Sequence, residues 1–538
     1  MIKFEFLGFI NQAGFRQRPC QWLCAGLLAL AAAGCESGKQ QVSGEIGSAE
    51  GFAGAVVADE PRAVLAARDA LAAGGSAADA AVALYFTLAV TLPSSAGVGG
   101  GGVCLVHAPN SERPYVLDFL PRASADGSIG LPGNVRGMAM LHAEYGRIQW
   151  VQLLAPAEEL ARGTSVSRAL GRELANNGYA LLADPEATRV FTRVDGGLVG
   201  EGDGLQQFDL VGTLSQIRRG GAGAFYSGSL ATRLTQSAQD AGMPLSAETL
   251  RTVRPEARDA LTVGVGARAA YFAAPPADGG LLGAQLTVML QGRGDAGAGA
   301  ADRAHVLVEA SKRAQVETAR RTEDGDAIDR LSASRLQSLM QDFDPASATP
   351  VAAIGSVAGD NGDPGATGFV VADGDGLAIA CEVTLNRPFG SGRLIPGTGV
   401  FLAAPPTGSG GLPLGPVIAI DPENGTADFI GAASPGQPGT TALATVLVDT
   451  VARGDSLDSA IDAKRVYYSA ASDTVSYEDG TSEAVVSALS QRGHTLQPSE
   501  GLGRVNAIWC SGGLPDDSDS CQARSDPRGA GLAVIQTE

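Results

Sequence analysis

The sequence predicts a layered α/β fold, in which sheets and helices pack as separate layers. Helical periodicity dominates residues 150–345, whereas strands mixed with a few helices follow from residue 414 onward. Because strands and helices come in runs and do not alternate regularly, a doubly wound parallel sheet is disfavoured. A chain of 538 residues that is 44% hydrophobic also has enough apolar side chains for a large core.

The composition excludes some classes of function. The formal net charge is −19, so the chain lacks the basic surface on which non-specific nucleic-acid binding depends. The four histidines are scattered, and no cysteine or histidine spacing is typical of a metal site. We therefore expect no nucleic-acid partner, no metal and no other cofactor.

Capping residues mark the first elements of the folded chain. Residues 55–58 read as a short strand, and Asp59 is predicted to cap a helix over residues 61–73, which has proline in its first turn. Ser76 and Asp79 resemble a capping box for the next helix. Since that helix is almost entirely Ala, Val and Leu, we expect it to be buried on all sides.

Two further segments have a clear local pattern. The glycine run at residues 99–102 follows a helix and has no Lys-Ser/Thr after it, so it predicts close backbone packing and not a phosphate loop. Residues 369–372 and 377–385 predict a β-hairpin around the turn at 373–376. A polar, turn-rich segment at residues 342–365 precedes this hairpin.

The first 35 residues are typical of an export signal. Arg16 and Arg18 precede an apolar run over residues 22–33 that is too short to span a bilayer as a helix. The run ends in Ala-Ala-Gly-Cys, which is similar to a bacterial lipoprotein cleavage site, so Cys35 is predicted to become the acylated first residue. Cleavage without acylation is the alternative. With a polar tether at residues 36–50, the pattern predicts a lipid-anchored protein on the periplasmic side of the bacterial cell envelope.

Four cysteines lie beyond the export signal. Cys510 and Cys521 flank a loop rich in Ser, Gly and Asp, and they are a candidate disulfide in an oxidising compartment. Cys104 and Cys381 lie in apolar stretches, where we expect unreactive thiols in the core.

A series of short motifs resembles the gamma-glutamyltranspeptidase family over nearly the whole mature chain. Each motif alone is weak, but their order and spacing make the resemblance specific. The matches are Gly74-Gly75-Ser76-Ala77-Ala78-Asp79-Ala80-Ala81, Leu131-Pro132-Gly133-Asn134, Ala155-Pro156-Ala157, Phe225-Tyr226-Ser227-Gly228, Thr384-Leu385-Asn386, Phe389-Gly390-Ser391-Gly392, Pro396-Gly397-Thr398-Gly399, Ser434-Pro435-Gly436 and Asp526-Pro527-Arg528.

The resemblance implies an αββα sandwich of the N-terminal-nucleophile hydrolase type, built from two segments of one precursor. Such a precursor cuts itself, and the new N-terminal threonine becomes the nucleophile, with its own freed amine as general base. On this chain the large segment would be residues 51–366 and the small segment residues 367–538. A small amide or peptide substrate would acylate the enzyme, which water or an acceptor amine then releases.

The nucleophile of the family falls on Ala366 in this sequence, and Thr367 follows it. Either the cut lies one residue later and Thr367 is the nucleophile, or the nucleophile has been lost. A shift of one residue along a strand turns the side chain to the opposite face, so the first option requires local rearrangement. By the resemblance, Thr384 lies beside the nucleophile and Asn386 binds the amino end of the substrate, and both are retained.

The residues that give the family its glutamyl specificity are mostly changed. Leu120 occupies the place of the arginine that binds the substrate carboxylate, and Arg122 is a candidate substitute. Residues 403–406 (Ala-Ala-Pro-Pro) replace an acidic stretch that binds the amino group. The glycine pair of the oxyanion site appears as Gly436 and Gln437, of which Gly436 is expected to receive the oxyanion and Gln437 to bind substrate. A site without these charged partners should hold a zwitterionic gamma-glutamyl group poorly.

These patterns favour a self-processing N-terminal threonine amidohydrolase or acyltransferase that acts on gamma-glutamyl or related amides. The alternative is a catalytically inactive homologue that serves as a binding or scaffold lipoprotein of the envelope.

The export pattern makes a first prediction. Cys35→Ser should release the protein from the membrane fraction or block its processing, because serine has no thiol to acylate. Membrane fractionation and gel mobility measure both effects. A serine variant that fractionates and migrates like the parent would rule out the lipoprotein interpretation.

Overall fold

The computed structural model describes residues 52–109, 111–293, 299–320, 327, 329–355, 362–406 and 411–537. The predicted signal segment, the tether and Cys35 lie outside these residues. Within the described ranges, no helix is both long and apolar enough to cross a membrane.

Two antiparallel sheets form the centre of the protein, and a smaller sheet lies near the C-terminal end of the chain. Numbered along the chain, their strands are β1 (Phe52–Ala58), β2 (Gly101–His107), β3 (Tyr115–Asp118), β4 (Glu256–Asp259), β5 (Leu261–Val265), β6 (Arg268–Phe272), β7 (Ala366–Asp373), β8 (Ala378–Thr384), β9 (Val417–Ile420), β10 (Ala427–Ser434), β11 (Val466–Ser469), β12 (Thr474–Glu478), β13 (Leu496–Ser499), β14 (Arg504–Leu514), β15 (Cys521–Ser525) and β16 (Leu532–Thr537). The first sheet has the order β16-β1-β7-β8-β2-β3-β4, the second β15-β14-β10-β9-β6-β5, and the small one β11-β12-β13.

Helices lie outside the two central sheets. The longer ones are α1 (Pro61–Ala72), α2 (Ala77–Thr91), α3 (Asn134–Tyr145), α4 (Ala155–Arg162), α5 (Arg168–Asn177), α6 (Phe208–Gly220), α7 (Gly228–Asp240), α8 (Asp278–Arg293), α9 (Ala300–Ala319), α10 (Gly436–Leu447) and α11 (Glu483–Gln491). Shorter helical segments are Pro93–Ala96, Trp150–Leu153, Gly178–Ala183, Pro185–Phe191, Gly223–Tyr226, Ala247–Thr252, Asp329–Leu331, Ala333–Leu339, Val351–Ile354, Val448–Ala452, Leu457–Asp462 and Ser518–Ser520. Short strand pairs join Thr164–Ser165 to Gly204–Leu205 and Leu394–Ile395 to Val400–Phe401.

Three apolar cores separate four layers. Side chains of both sheets form the central core, among them Val57, Leu105, Val370, Ile418, Ile430 and Ile508. A second core joins the other face of the first sheet to α2 and the helices around it. A third joins the second sheet to α8 and α10. The layer order is therefore helix, sheet, sheet, helix, which confirms the αββα architecture that the family resemblance implies.

Local signals near the N-terminus are mostly confirmed. The capping box is present, because the Ser76 hydroxyl accepts from the Asp79 N–H and the Asp79 carboxylate accepts from the Ser76 N–H. Every residue of α2 is buried, as its composition predicts. The predicted cap of α1 is wrong by one residue, since Glu60 and not Asp59 accepts from the Ala63 N–H.

The glycine run allows close contact between backbones, as predicted. A Cβ atom on Gly99 would lie 2.0 Å from the carbonyl oxygen of Phe401, and one on Gly100 would lie 2.3 Å from that of Thr384. The run therefore packs against the end of β8 at a distance that no side chain permits.

Two disulfides join neighbouring strands. Cys510 of β14 is bonded to Cys521 of β15, as the sequence indicates. The expectation of unpaired core thiols at Cys104 and Cys381 is wrong, because these residues are direct partners on β2 and β8 and form the second disulfide. Their sequence separation of 277 residues hid this contact, which only the strand order creates.

Candidate functional site

The candidate site lies where β7 begins and β8 ends. Ala366 is paired with Thr384, and Thr367 with Val383. Since side chains alternate along a strand, Ala366 faces the core between the sheets, Phe369 faces the helical side, and Thr367 points away from Ala366. In the uncut chain Thr384 lies on the face of Ala366, opposite it in the strand pair, and its role beside the nucleophile remains a prediction.

The hydroxyl of Thr367 is instead bound to a buried carboxylate. It donates to Asp59 Oδ2 at 2.9 Å, and the Ser434 hydroxyl donates to the same oxygen at 3.0 Å. The side-chain amide of Asn506 donates to Asp59 Oδ1 at 2.9 Å. Asp59 thus joins β1, β7, β10 and β14, and it places a proton acceptor directly at Thr367.

A single guanidinium balances the negative charge here. Arg504 Nε lies 3.6 Å from Asp59 Oδ2. Burial would lower the pKa of Arg504, but the charges of Asp59 and Glu173 are among those that raise it, so this side chain stays cationic. Burial raises the pKa of Glu173, and Arg504 opposes that shift.

On the opposite face, the segment before β7 fills the space beside Thr384. The Thr384 hydroxyl donates to the carbonyl oxygen of Pro364 and accepts from the Asn386 N–H at 2.7 Å. Asn386 has a φ of 64°, and its amide nitrogen donates to the Ala404 carbonyl at 2.7 Å. Its Oδ1 is buried and has no partner among the described residues. This oxygen is therefore available to accept a hydrogen bond from a substrate amino group.

Gly436 and Gln437 begin α10 on the other side of the same segment. Gly436 has a φ of 54°, and a Cβ atom on it would lie 3.1 Å from Pro364 Cδ. No side chain caps α10, so its first N–H groups suit an anion. The side-chain oxygen of Gln437 accepts from the Tyr467 hydroxyl at 3.1 Å. The oxyanion role of Gly436 and the substrate role of Gln437 remain predictions.

Glu382 is a buried carboxyl group that sequence analysis missed. Its side chain crosses between the sheets, where its two oxygens accept from the Ala433 and Gly415 N–H groups, each at 2.8 Å. Burial raises the pKa of Glu382 to about 8, despite these two hydrogen bonds. Glu382 lies two residues before Thr384 and on the same face, so it belongs to the wall of the candidate site.

The residues expected to replace the carboxylate-binding arginine do not form an open cationic site. Arg122 Nη2 lies 2.7 Å from Asp118 Oδ2, so its charge is already paired. Arg258 also reaches this carboxylate at 3.3 Å. Leu120 belongs to the core between the sheets, and Ala404 is buried. The position of the family arginine is therefore apolar, and its candidate substitute Arg122 has no unpaired charge.

A group of possible metal ligands lies away from this site. Donor atoms of His305, Glu309 and His494 lie within 4.8 Å of one another. Glu309 is already paired with Lys312 at 3.0 Å and with Arg313 at 2.6 Å, and His305 Nδ1 lies 2.8 Å from His494 Nε2. Two adjacent cations disfavour a divalent ion, so we interpret this group as structural.

Asp59 and Glu382 are thus the acidic residues at the site that sequence analysis did not assign to it. The sequence position of Asp59 could have indicated a site residue, because a polar residue directly after a buried strand lies at the end of a sheet. The same holds for Glu382, since a carboxyl group within an apolar strand is rarely buried without a specific reason.

Comparison with known proteins identifies the relatives of this chain. The family model described as gamma-glutamyltranspeptidase matches residues 63–405 and 414–535. The glutathione hydrolase proenzyme of Escherichia coli (strain K12) is 26% identical over 517 residues, which cover 86% of this chain and 88% of that protein. Acylase ACY 1 proenzyme of Pseudomonas sp. (strain SE83) is 27% identical over 520 residues, covering 86% and 90%. The crystal structure of a cephalosporin acylase from Bacillus halodurans superposes with a TM-score of 0.78 at 22% identity, covering 90% of this chain and 96% of that one, and so supports the fold.

The buried carboxyl group makes a pH prediction. Glu382 has a raised pKa in the folded state, so its contribution to stability is fully present below its unfolded pKa and is lost as pH rises toward about 8. Relative to Glu382→Gln, the free energy of unfolding of the parent should fall by up to about 1.4 kcal/mol per pH unit between roughly pH 5 and 8. Chemical denaturation over this range measures the difference.

The exposed Glu159→Gln change is the matched control, and it should leave the pH dependence of the parent unchanged. If the parent and Glu382→Gln show parallel pH profiles, Glu382 is already ionised at pH 5. Its two backbone hydrogen bonds would then outweigh its burial.

Proposed function

Since the chain belongs to the gamma-glutamyltranspeptidase family, we propose that it is a self-processing amidohydrolase or acyltransferase with Thr367 as its N-terminal nucleophile. One observation carries this proposal: the Thr367 hydroxyl is hydrogen-bonded to the buried carboxylate of Asp59. A weakly acidic hydroxyl becomes a nucleophile when an adjacent base accepts its proton. No such pairing is possible for Ala366, which has no hydroxyl group.

The proposed maturation step is an attack within the chain. Thr367 Oγ bonds to the carbonyl carbon of Ala366 while Asp59 accepts the hydroxyl proton. The bond from that carbon to the Thr367 nitrogen breaks, and the nitrogen leaves with a proton as a free amine. Water then hydrolyses the resulting ester, so that one fragment ends in the Ala366 carboxylate and the other begins at Thr367.

Cleavage would also open the space beside Thr384. In the uncut chain the Thr384 hydroxyl donates its hydrogen bond to the Pro364 carbonyl, and Pro364 packs against Gly436. Departure of this segment would free both groups, and Thr367 would lose the chain connection to Ala366 that restrains its backbone. Its hydroxyl could then turn toward Gly436, whose N–H is proposed to receive the oxyanion.

We further propose that the acyl group is less polar than gamma-glutamyl. Leu120 and Ala404 are apolar groups at the site, and Arg122 is held by Asp118. The unpartnered Asn386 Oδ1 supports binding of one substrate N–H group, whereas Arg122, the candidate partner of a free carboxylate, is already paired with Asp118. That a relative is named an acylase is consistent with an altered acyl group.

Export and lipid anchoring remain part of the proposal. Two disulfides support an oxidising compartment, because cytosolic thiols are kept reduced. The cell envelope is such a compartment, and the predicted acylation of Cys35 would place the protein there.

The structure sharpens the test of self-cleavage. A cut before Thr367 would leave Cys104 on the large fragment and Cys381 on the small one, still joined by their disulfide. The purified protein should therefore run as one band on a denaturing gel without reductant and as two bands with it. N-terminal sequencing of the small fragment should begin at Thr367.

Thr367→Ala should stay a single chain under both conditions and should have no activity, because the nucleophile of both steps is absent. Thr232→Ala, which removes an exposed hydroxyl on α7, is the control and should be cut like the parent. If the parent stays whole with reductant, or if Thr367→Ala is still cut, Thr367 is not the nucleophile. An intact, inactive parent would favour the scaffold alternative.

Specificity is tested with two anilide substrates that share a leaving group. We expect kcat/KM for an uncharged acyl p-nitroanilide to exceed that for gamma-glutamyl-p-nitroanilide by at least about tenfold, because burying an unpaired carboxylate is unfavourable. Glutathione should be turned over weakly or not at all. Efficient glutathione hydrolysis that is lost in Thr367→Ala would contradict the apolar site while leaving the nucleophile in place.

A further inference from the structure

A cavity lies on the helical side of the second sheet. Its volume is about 300 Å³, at the lower end of the range for small-molecule sites. Its walls come from α9, α10, the N-terminal turn of α11 and strand β11. The cavity adjoins Gln437 at one end, because Pro438 and Tyr467 line it and the Tyr467 hydroxyl donates to the Gln437 side chain.

The cavity lies where three apolar clusters meet without filling the space between them. Val446 belongs to the cluster under the second sheet, Leu290 and Val306 to the cluster between α8 and α9, and Val466 and Val485 to the cluster of the small sheet. All five line the cavity. Its interior is therefore mostly apolar, as in sites that bind organic molecules.

The rim of the cavity is positively charged, although the whole chain has a net charge of −19. Arg303, Arg453 and Lys464 line it, against one lining carboxylate, Asp449. Asp449 is paired with Arg453, whereas Lys464 is exposed and makes no ion pair within the described residues. An acidic protein that keeps an unpaired lysine at the mouth of an apolar cavity offers that lysine to an anion.

A buried hydroxyl is a further feature of this cavity. The Thr441 hydroxyl lines the cavity, is buried and has no hydrogen-bond partner within the described ranges. Such buried orphan groups are uncommon in native proteins, so this hydroxyl is available to donate to a ligand. The N-terminus of α11 does not add to the anion site, because the Ser482 side chain caps it and Glu483 lies in its first turn.

We propose that this cavity is a binding site for a small amphipathic carboxylate. The apolar body of the ligand would pack against the meeting point of the three clusters. Its carboxylate would pair with Lys464 and accept a hydrogen bond from the Thr441 hydroxyl. The wall that this ligand would contact belongs to α10, the helix that begins at Gly436, but binding itself requires no catalytic step.

Isothermal titration calorimetry with octanoate tests the site on the purified full chain. Octanoate should bind, while octanol should bind at least about tenfold more weakly and octylamine not measurably, because the rim is cationic. Lys464→Glu should weaken octanoate binding at least about tenfold, and Thr441→Val should weaken it severalfold. Thermal unfolding of both variants should match the parent, because one change is exposed and the other removes an unpartnered group.

The control is Arg219→Glu, an equal change of charge at an exposed position of α6 far along the chain, and it should leave octanoate binding unchanged. The proposal is overturned if octanoate does not bind at about millimolar concentration, if octanol binds as tightly, or if Lys464→Glu has no more effect than Arg219→Glu. These outcomes do not depend on cleavage before Thr367, so this proposal and the proposed function fail separately.

Discussion

The pairing of β7 with β8 in the middle of the first sheet is the constraint on which the site depends. It sets Ala366 opposite Thr384 and thereby decides which side chain faces the space between the sheets. The period of two along a strand then leaves Thr367 on the other face. In this register the Thr367 hydroxyl is bonded to Asp59, and the Ala366 methyl group lies in the core. Any catalytic role of Thr367 has to start from this arrangement.

Buried carboxylates hold the two sheets together around this register. Asp59 at the end of β1 binds side chains from β7, β10 and β14, while Glu382 in β8 binds N–H groups of Gly415 and Ala433. Polar groups within a core are stabilising only when every partner is in place. The same contacts that fix the sheets therefore also fix the geometry next to the proposed scissile bond.

The disulfide between Cys104 and Cys381 would connect different parts of the protein before and after the proposed cleavage. In the uncut chain it joins adjacent strands that already pair. In a chain cut before Thr367 it would be a covalent link between the two fragments, in addition to the sheet and the cores. Such a link would keep the two proposed fragments joined covalently even if their noncovalent contacts were lost.

The sequence by itself determined the elements whose signals are local. The Ser76–Asp79 capping box, the fully buried α2 and the hairpin at β7 and β8 follow from capping chemistry, composition and turn residues, all of which act over a few neighbours. The order of motifs along the chain also indicated the αββα layers. Such signals lie within short stretches and need no knowledge of distant contacts.

Only the tertiary structure decided the roles of isolated polar residues and cysteines. Asp59 resembled a helix cap because it lies just before a helix with proline in its first turn, yet its contacts to Thr367 and Asn506 lie hundreds of positions away in the chain. Cys104 and Cys381 resembled inert thiols until the order of strands made them neighbours. Hydrogen bonds and disulfides depend on distances in space, and the strand order that brings distant residues within bonding distance is a property of the folded chain as a whole.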